Sequence, residues 1–386
     1  PGMSNLKEIR IKSFFDLKLK NSIKKGVFIN AMYYCSKIQS ITLVPLLEGR
    51  DIIYQSPSGT GKTTCYIIGT SNQLSQSINS PQCLILVPTR ELSIQIRNVY
   101  TVINIYTKNF ISSCHGGKWL GEDLRNLKKN VHGIVGTPGR ILHLLQIGTL
   151  VVTKIRSFVL DEADILLNKN FKIDIFNIYR YLNSKVQIII CSATIPLYTL
   201  QSASKFLLDP VMILMRKEEI NIDKIKQFYI SVLIEENKLL ALIDIFETLL
   251  VGQVLIFCNT IRKANWIHNK LLANNFNVGL IHGKVIQKER TNIFKNFRDG
   301  KIRALVTTDV SSRGLNIPEV SLVINYDLPS IQDVYLHRIG RTGRFGRQGV
   351  AINFVKLRDL HLIKNLEIHY SITIEELKSE LLNYKS

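Results

Sequence analysis

Short runs of apolar, β-branched residues recur along the whole chain, separated by stretches with the period of an α-helix. They lie at 83–87, 133–136, 157–160, 187–191, 254–258, 304–307 and 322–325. A strand that is apolar at nearly every position is buried on both faces, and helices between such strands are typical of parallel sheets. Polar or glycine-containing segments follow most runs, where open α/β sheets place their ligands. The sequence therefore predicts an α/β fold of parallel sheets with helices on both faces.

The length of the chain predicts more than one domain. At roughly 150 residues per domain, 386 residues correspond to two domains, perhaps three. The segment 216–224 is the most charged stretch without a clear period. We therefore predict an N-terminal domain at 12–216, a linker at 217–226 and a C-terminal domain at 227–386.

The charge balance leaves two explanations open. The chain has 50 Lys and Arg against 30 Asp and Glu, a formal net charge of +20. Such an excess points to nucleic acid or another anionic surface. However, Lys, Ile and Asn are abundant throughout, so compositional drift explains the excess equally well.

Several features exclude other protein classes. The six cysteines stand at least 18 residues apart without a CxxC pair, which argues against a disulfide framework or a zinc site. No apolar run approaches the ~18–20 residues needed to span a bilayer, and no secretory h-region is visible at the start. We expect a soluble, intracellular protein without membrane contact.

The segment 56–63 has the features of a phosphate-binding loop. It follows the apolar run 52–54 and precedes a helical stretch. Its glycines allow backbone N–H groups to approach phosphates, Lys62 can reach the β and γ oxygens, and the Thr63 hydroxyl can hold Mg²⁺. Ser56 stands where the strict motif has its first glycine, so a chance match is the alternative; the position between strand and helix favours the phosphate loop. The expected nucleotide contacts are Ser58, Gly59, Thr60, Gly61, Lys62 and Thr63.

An acidic pair follows the apolar run 157–160. We expect Asp161 to hold Mg²⁺ through water, and Glu162 to orient or deprotonate the attacking water. The alternative is an acidic helix start that only complements the helix dipole. The phosphate loop upstream favours the catalytic interpretation.

Further motifs follow in a fixed order. The first half contains Phe14 with Gln39, 88–92 (PTREL), Gly116 and Gly117, 137–140 (TPGR), 161–164 (DEAD) and 192–194 (SAT). The second half contains 255–260 (LIFCNT), Gln287 with Arg290, 308–310 (TDV) with Arg313 and Gly314, and 337–344 (HRIGRTGR). This ordered set resembles the DEAD-box RNA helicases over residues 12–380. Segments 320–329 and 338–355 are most similar to the eukaryotic translation initiation factor 4A subfamily, which includes a member of the exon-junction complex.

The resemblance implies two tandem RecA-like domains that close over ATP and single-stranded RNA. By this resemblance Gln39, with Phe14, reads the adenine, and Asn316 contacts the ribose. His337 couples the phosphate site to the RNA groove, as do Ser192 and Thr194. Arginine fingers are expected at Arg341 and Arg344, with ordinary surface arginines as the alternative.

The resemblance also implies the RNA contacts. They are Thr89, Arg90, Gly116, Gly117, Thr137, Gly139 and Arg140 in the first domain, and Gly283, Arg290 and Thr308 in the second. Backbone, hydroxyl and arginine contacts to phosphates and sugars are independent of base sequence and sensitive to salt. No pair of aromatic residues of the RRM kind for stacking on bases is evident.

Five positions depart from the family pattern. Met32 and Cys35 replace an aromatic residue and a proline before Gln39, and Ser56 replaces an alanine. Asn316 replaces an aspartate, and Lys284 stands where an acid is common. We expect weaker ATP binding and tighter RNA binding than in typical relatives.

The leading interpretation is an ATP-dependent RNA helicase acting in translation initiation, with ATP and Mg²⁺ as cofactors. It would act as a monomer on single-stranded RNA or short duplexes, in the cytoplasm or alternatively the nucleus. A HEAT-repeat partner of the MIF4G type is implied by the subfamily resemblance alone. The alternatives are an ATP-gated RNA clamp whose turnover partners suppress, and a non-catalytic RNA-binding scaffold.

Overall fold

All seven predicted apolar runs form strands, which confirms the predicted α/β class. The structure, a computed structural model, describes residues 11–377 except 58, 169–170, 215–224, 249–251, 310–319 and 344–348. The chain divides into two compact units, residues 1–215 and 216–386, called here the first and second unit.

The first unit contains a parallel sheet of seven strands among its described residues. They are β1 (Ile52–Gln55), β2 (Cys83–Leu86), β3 (Phe110–Cys114), β4 (Val131–Gly136), β5 (Ser157–Asp161), β6 (Gln187–Ser192) and β7 (Val211–Leu214). Their order across the sheet is β3-β4-β2-β5-β6-β1-β7. The helices are α1 (Asn21–Ile29), α2 (Lys37–Leu47), α3 (Lys62–Gln73), α4 (Arg90–Ile103), α5 (Leu120–Leu127), α6 (Pro138–Gln146), α7 (Ala163–Leu166), α8 (Lys172–Tyr179) and α9 (Leu197–Ala203).

The core of this unit lies on both faces of the sheet. Successive side chains of a strand point to opposite faces, so Val159 packs into one apolar cluster and Phe158 and Leu160 into the other. Because both faces are covered, the central strands need no polar side, and their sequences are continuously apolar.

Polar side chains fix the starts of helices near the carboxyl edge. Ser36 and Gln39 form a reciprocal capping box at the start of α2. The Thr89 hydroxyl accepts a hydrogen bond from the backbone N–H of Leu92 (3.3 Å) at the start of α4. Such caps satisfy N–H groups that a helix leaves without an internal partner.

The second unit repeats this architecture. Its described strands are β8 (Ile225–Val232), β9 (Val254–Cys258), β10 (Val278–Ile281), β11 (Ala304–Thr308), β12 (Leu322–Asn325), β13 (Gly349–Lys356) and β14 (Glu375–Glu376), all parallel. Their order is β10-β11-β9-β12-β13-β8-β14. The described helices are α10 (Glu235–Thr248), α11 (Ile261–Ala273), α12 (Gln287–Arg298), α13 (Gln332–Ile339) and α14 (Leu360–Tyr370).

One predicted boundary differs from the structure. Strand β8 begins at Ile225, inside the predicted linker 217–226, and the remainder of that linker lies outside the described residues. Lys226 pairs in register with Val350 of β13. The charged residues that predicted a linker therefore continue into β8, which lies next to the edge strand of the sheet. Lys226 fits there because its side chain is exposed to solvent.

Within the described ranges, no helix is both long enough and apolar enough to cross a bilayer. All six cysteines are free thiols. No cluster of three or more metal-ligating His, Cys, Asp or Glu side chains occurs in that part of the chain.

Candidate active site

The strand order of the first unit brings the predicted nucleotide residues together. Strand β6 lies between β5 and β1, and the carboxyl ends of parallel strands share one edge of the sheet. The phosphate loop follows β1, Asp161 ends β5 and Ser192 ends β6. One edge therefore holds the loop, the acidic pair and the SAT segment side by side.

The phosphate loop is shaped by glycines in left-handed conformations. Gly59 and Gly61 have φ of +82° and +95°, values that favour glycine. Lys62 begins α3, and its Nζ donates to the carbonyl oxygens of Ser56 and of Pro57 (2.8 Å for Pro57). Burial lowers the pKa of Lys62, whereas the charge of Asp161 opposes that shift. The ammonium thus lies within the loop, close to the acidic pair.

Ser56, a predicted departure, is a buried part of this loop. Its hydroxyl lies 2.7 Å from the Thr60 hydroxyl, which in turn donates to the Pro57 carbonyl (2.8 Å). An alanine could not make the first of these hydrogen bonds. Ser56 therefore adds a cross-link within the loop.

Gln39 packs directly on the phosphate loop. Its Nε2 donates to the Gly61 carbonyl (3.4 Å), and its Oε1 accepts from the Ser36 backbone N–H (2.8 Å). A Cβ at Gly61 would overlap the Gln39 amide. The start of α2 and the loop are thus in contact, as the predicted adenine role of Gln39 requires.

The other residues of the predicted adenine motif lie in or against the core. Phe14 is 2% exposed within the apolar cluster that contains α1 and α2. Met32 and Cys35 are half-buried and pack against the same cluster. Burial is the largest cause that raises the pKa of Cys35, to about 11. Phe14 thus belongs to the apolar core that supports helix α2, on which Gln39 lies.

Asp161 is nearly buried and accepts hydrogen bonds on both oxygens. Its Oδ2 accepts from Tyr66 Oη (2.7 Å) and lies 3.5 Å from Thr63 Oγ1, while its Oδ1 accepts from Cys191 Sγ (3.2 Å). Thr63 and Tyr66 are three residues apart on α3 and so share one helix face. The two predicted Mg²⁺ groups, a carboxylate and a hydroxyl, are therefore adjacent, and oxygen donors of this kind fit Mg²⁺.

Glu162 has a backbone conformation that is rare for its residue type. Its φ of +53° places it in the left-handed region at the start of α7. A non-glycine residue there costs about 1–2 kcal/mol, and such strain clusters at functional sites. Because of this conformation, the chain turns at Glu162 and leaves the direction of strand β5, whose last residue is Asp161.

Asp164 explains how the SAT segment is connected to the DEAD segment. Its two oxygens accept from Ser192 Oγ (2.7 Å) and from Thr194 Oγ1 (3.1 Å). Both hydroxyls are buried. The predicted coupling pair is thus fixed to the helix turn that follows the acidic pair, through a residue to which the sequence analysis gave no role.

The predicted RNA residues of the first unit occupy the other half of the same edge. Strands β3, β4 and β2 are neighbours. Thr89 and Arg90 follow β2, Gly116 and Gly117 follow β3, and Thr137, Gly139 and Arg140 follow β4. The strand order therefore separates phosphate-loop chemistry on β1, β5 and β6 from the predicted RNA contacts.

Arg90 explains why two glycines occur at 116 and 117. A Cβ at Gly117 would overlap Arg90 Nη1, and one at Gly116 would lie 3.4 Å from Arg90 Nη2. Gly117 also has a φ of +80°. The glycines thus allow the guanidinium to lie against the backbone of this loop.

The guanidinium of Arg140, which is predicted to contact RNA, is paired with residues of the first unit. It binds Asp123 Oδ2 and donates to the Lys118 carbonyl (3.1 Å). Lys118 Nζ also binds Asp123, at 2.7 Å. Asp123 is fully buried, so this ion-pair network ties the TPGR segment to the loop before α5.

In the second unit, Arg290 fixes the loop that contains Gly283. Its Nη2 donates to the carbonyls of His282 (3.3 Å) and Val285 (3.4 Å). Gly283 has open space around its Cα, and Lys284 beside it is exposed. Thr308 ends β11 and is buried. Lys284 therefore adds an exposed positive charge to this loop, and the tighter RNA binding expected from it stays a prediction.

Arg338 is the centre of the second unit's carboxyl edge. It is 1% exposed and forms a bidentate pair with Asp309 (2.6 and 2.7 Å). It also donates to Asn259 Oδ1 (2.8 Å) and to the Asp327 carbonyl (2.6 Å). Residues after three neighbouring strands, β11, β9 and β12, are thus held by one guanidinium, which the sequence analysis did not predict.

His337 precedes Arg338 on helix α13, and Arg341 follows the end of this helix. Each of these two residues is 9% exposed. Three predicted residues, Ser58, Asn316 and Arg344, lie outside the described residues.

Tyr66, Cys191, Asp164 and Asp123 are hydrogen-bond or ion-pair partners of predicted residues, whereas Arg338 binds residues that follow three neighbouring strands. The sequence analysis assigned a role to none of the five. Asp164 and Arg338 nevertheless lie inside the DEAD and HRIGRTGR motifs, and Tyr66 has the spacing that places it on the same helix face as Thr63.

Comparisons with known proteins agree with this geometry. The family model for DEAD/DEAH box helicases matches residues 36–203, and that for the helicase conserved C-terminal domain matches 237–346. The chain is 43% identical to eukaryotic initiation factor 4A-III homolog B of Oryza sativa subsp. japonica, over 95% of this chain and 91% of that protein. It is 42% identical to the ATP-dependent RNA helicase fal1 of Aspergillus fumigatus, over 97% and 94%. S. cerevisiae Dbp5 bound to RNA and ADP BeF3 matches with a TM-score of 0.89 and 33% identity, over 96% of each chain.

The chain belongs to the DEAD-box helicase family, with the tandem RecA-like folds of its members. It is an ATP-dependent RNA helicase, and within the family it is close to eukaryotic initiation factor 4A.

Proposed function

We propose that the chain hydrolyses ATP with Mg²⁺ in a reaction stimulated by single-stranded RNA, and uses the cycle to open short duplexes locally. The observation that carries this proposal is the shared edge of β5, β6 and β1. There Lys62, the Thr63–Asp161 pair and Glu162 lie together on rigid elements.

Each residue has a role that its position supports. Lys62 binds the β and γ phosphate oxygens, and Ser58 to Thr63 present the backbone of the loop to them. Thr63 and Asp161 would hold Mg²⁺, which would supply positive charge beside the phosphates. Glu162 orients the attacking water and accepts its proton.

Base and ribose recognition would come from residues near this loop. Gln39, fixed against Gly61, would bind the adenine edge, with Phe14 supporting it from the core. Asn316 would contact the ribose. The half-buried Met32 and Cys35 replace an aromatic residue and a proline of the family pattern near Gln39, which supports weaker ATP binding.

RNA binding and closure would use both units. In the first unit Thr89, Arg90, Gly116, Gly117, Thr137, Gly139 and Arg140 would contact the sugar-phosphate backbone, and Asp123 would hold the Arg140 guanidinium in place. In the second unit Gly283, Arg290 and Thr308 would do so. Arg341 and Arg344 would act as arginine fingers on closure, with His337, Ser192 and Thr194 coupling the two ligands.

The cellular process we propose is translation initiation. The two rice relatives are homologues of an initiation factor by name, which supports this assignment. A HEAT-repeat partner of the MIF4G type remains a prediction, and a Dbp5 structure contains Gle1 instead. A monomer acting in the cytoplasm, or alternatively the nucleus, is part of the same proposal.

Steady-state ATP hydrolysis with and without single-stranded RNA tests the proposal. We expect RNA to stimulate the wild type, and Glu162→Gln to lower the stimulated rate by at least ~100-fold because the general base is lost. Glu48→Gln, an exposed change in the same unit, is the matched control and should keep the wild-type rate. A stimulated rate that survives in Glu162→Gln contradicts the proposal. Multiple-turnover unwinding without partners then separates the helicase from the clamp.

A further inference from the structure

An exposed tryptophan lies directly beside the predicted RNA contacts of the first unit. Trp119 is 69% exposed and follows Gly117 by two residues. Two Cα steps of about 3.8 Å limit the separation of their Cα atoms to about 7.6 Å. A large aromatic surface left in water gains no burial energy, so its position beside this loop calls for a ligand.

The indole is held in a fixed orientation on helix α5. An ideal Cβ at Gly121 would lie 2.5–2.7 Å from three atoms of the ring, so only glycine fits beneath it. The Arg125 guanidinium lies 4.9 Å from the ring centroid, within the range of a cation–π contact. Gly121 and Arg125 are four residues apart on α5 and share one helix face. They therefore cover one face of the ring, and the exposure of Trp119 comes from the other.

The residues next to Trp119 in the sequence are connected to the predicted RNA contacts. Buried Asp123 binds both Lys118, which precedes Trp119, and Arg140 of the TPGR segment. Arg140 also donates to the Lys118 carbonyl (3.1 Å). The exposed Glu122 lies 3.6 Å from Lys118 Nζ. The backbone on either side of Trp119 is thus tied, through Lys118 and Asp123, to the TPGR segment.

We propose that Trp119 stacks on one base of the bound single-stranded RNA, next to the backbone contact of Gly116 and Gly117. This inference rests on the proposed RNA-binding function and adds a base contact to it. Stacking on an aromatic ring tolerates every base because each has a π-face. Recognition would remain independent of sequence, with a modest preference set by stacking strength.

Single-tryptophan variants of the full chain test the stacking directly. The chain has two tryptophans, so Trp266→Phe leaves Trp119 as the only indole and Trp119→Phe leaves Trp266. We expect a short oligouridine to quench the fluorescence of the Trp266→Phe protein and to leave that of the Trp119→Phe protein unchanged. Absence of quenching in the Trp266→Phe protein while RNA binds overturns the inference.

Affinity measurements separate stacking from an indirect effect. Trp119→Ala should weaken oligouridine binding by about 5- to 100-fold, the usual range for one stacked base. An oligonucleotide with one abasic position, scanned along the strand, should weaken wild-type binding similarly at one position and leave Trp119→Ala binding unchanged there. Gly121→Ala, which displaces the ring while keeping it, should behave as Trp119→Ala does.

The outcomes distinguish this inference from the proposed function. If Trp119→Ala binds RNA as tightly as wild type, the inference is wrong and the helicase assignment stands; the indole would then suit a protein partner. If abasic positions weaken Trp119→Ala as much as wild type, the tryptophan does not stack on a base. If wild type neither binds RNA nor responds to it in ATP hydrolysis, both proposals fail.

Discussion

Replacement of the buried Arg338 by lysine tests whether one guanidinium holds the carboxyl edge of the second unit together. Arg338 makes five hydrogen bonds to described residues, two of them a bidentate pair with Asp309. A lysine ammonium is a point donor and cannot reproduce the planar fork. Breaking a buried ion pair outright costs about 3–5 kcal/mol. Because Lys keeps the charge and the Asp309 side chain is 27% exposed, we expect a loss near the lower limit, about 3 kcal/mol.

The second unit has its own fluorescent reporter for this measurement. In a Trp119→Phe background the remaining Trp266 lies on α11 of that unit. Its emission during urea denaturation follows this unit separately, which matters because a two-domain chain need not unfold in one step. A loss of 3 kcal/mol corresponds to a fall in Tm of roughly 6–12 °C.

Arg358→Lys is the matched control, since the Arg358 side chain is 76% exposed and surface changes stay within about 0.5 kcal/mol. Equal unfolding free energies for Arg338→Lys and Arg358→Lys would refute the reasoning.

Two further predictions concern a glycine and a carboxylate. Gly117→Ala should weaken RNA binding about tenfold, the equivalent of one charge-assisted contact, because a Cβ there displaces Arg90. Gly148→Ala, with a similar φ of +70° and open space around it, controls for backbone strain; an equal effect in filter binding would contradict the argument. Burial would raise the pKa of Glu235, but hydrogen bonds from Lys263 and Lys356 outweigh it and hold the pKa at about 2, below its ordinary value of 4.5. The native ion pairs therefore stabilise the second unit above pH 4.5 and are lost as the pH falls towards 2. Glu235→Gln should reduce that acid-induced loss, measured by Trp266 emission, whereas Glu247→Gln on the same helix should not; indistinguishable pH profiles would show that Glu235 contributes nothing.

The central strands could be predicted because their environment is simple. A strand with helices on both faces, such as β2 or β9, is apolar at every position, and this signal survives without any tertiary knowledge. Strand β3 (Phe110–Cys114) contains two serines and lies at the edge of its sheet. Strand β3 therefore lacks the continuous apolar pattern, and the sequence analysis did not find it. Strand β7 (VMIL) is apolar at every position and lies at the other edge; the sequence analysis missed it although it carries the apolar signal.

The candidate site likewise contains residues that the sequence could predict and partners that it could not. Lys62 and Asp161 could be placed from the sequence, because the phosphate loop comes after one apolar run and the acidic pair ends another, whereas the prediction for Arg90 rests on the family resemblance. Their partners depend on which strands become neighbours, information that no local pattern contains. Asp123 lies on α5 yet binds Arg140 from the segment after β4, an ion pair that no local sequence pattern predicts. Asp164 and Arg338 are further examples, since each joins segments distant in sequence.

The division of the first sheet's edge makes this unit suitable for exchange of its RNA-side loops. The segments after β2, β3 and β4 occupy one half of the edge, and in the described sheet the β2–β5 pairing, with Leu86 opposite Leu160, joins the strands of that half to those of the phosphate half. The buried apolar side chains where β2 and β5 pair have no groups that could bind a ligand. Loops 88–90, 115–119 and 137–140 could therefore be transplanted together from a relative, leaving the hydrolytic residues on their own strands. A chimaera of this kind would take its RNA affinity from the donor while keeping the host's rate of ATP hydrolysis in the absence of RNA.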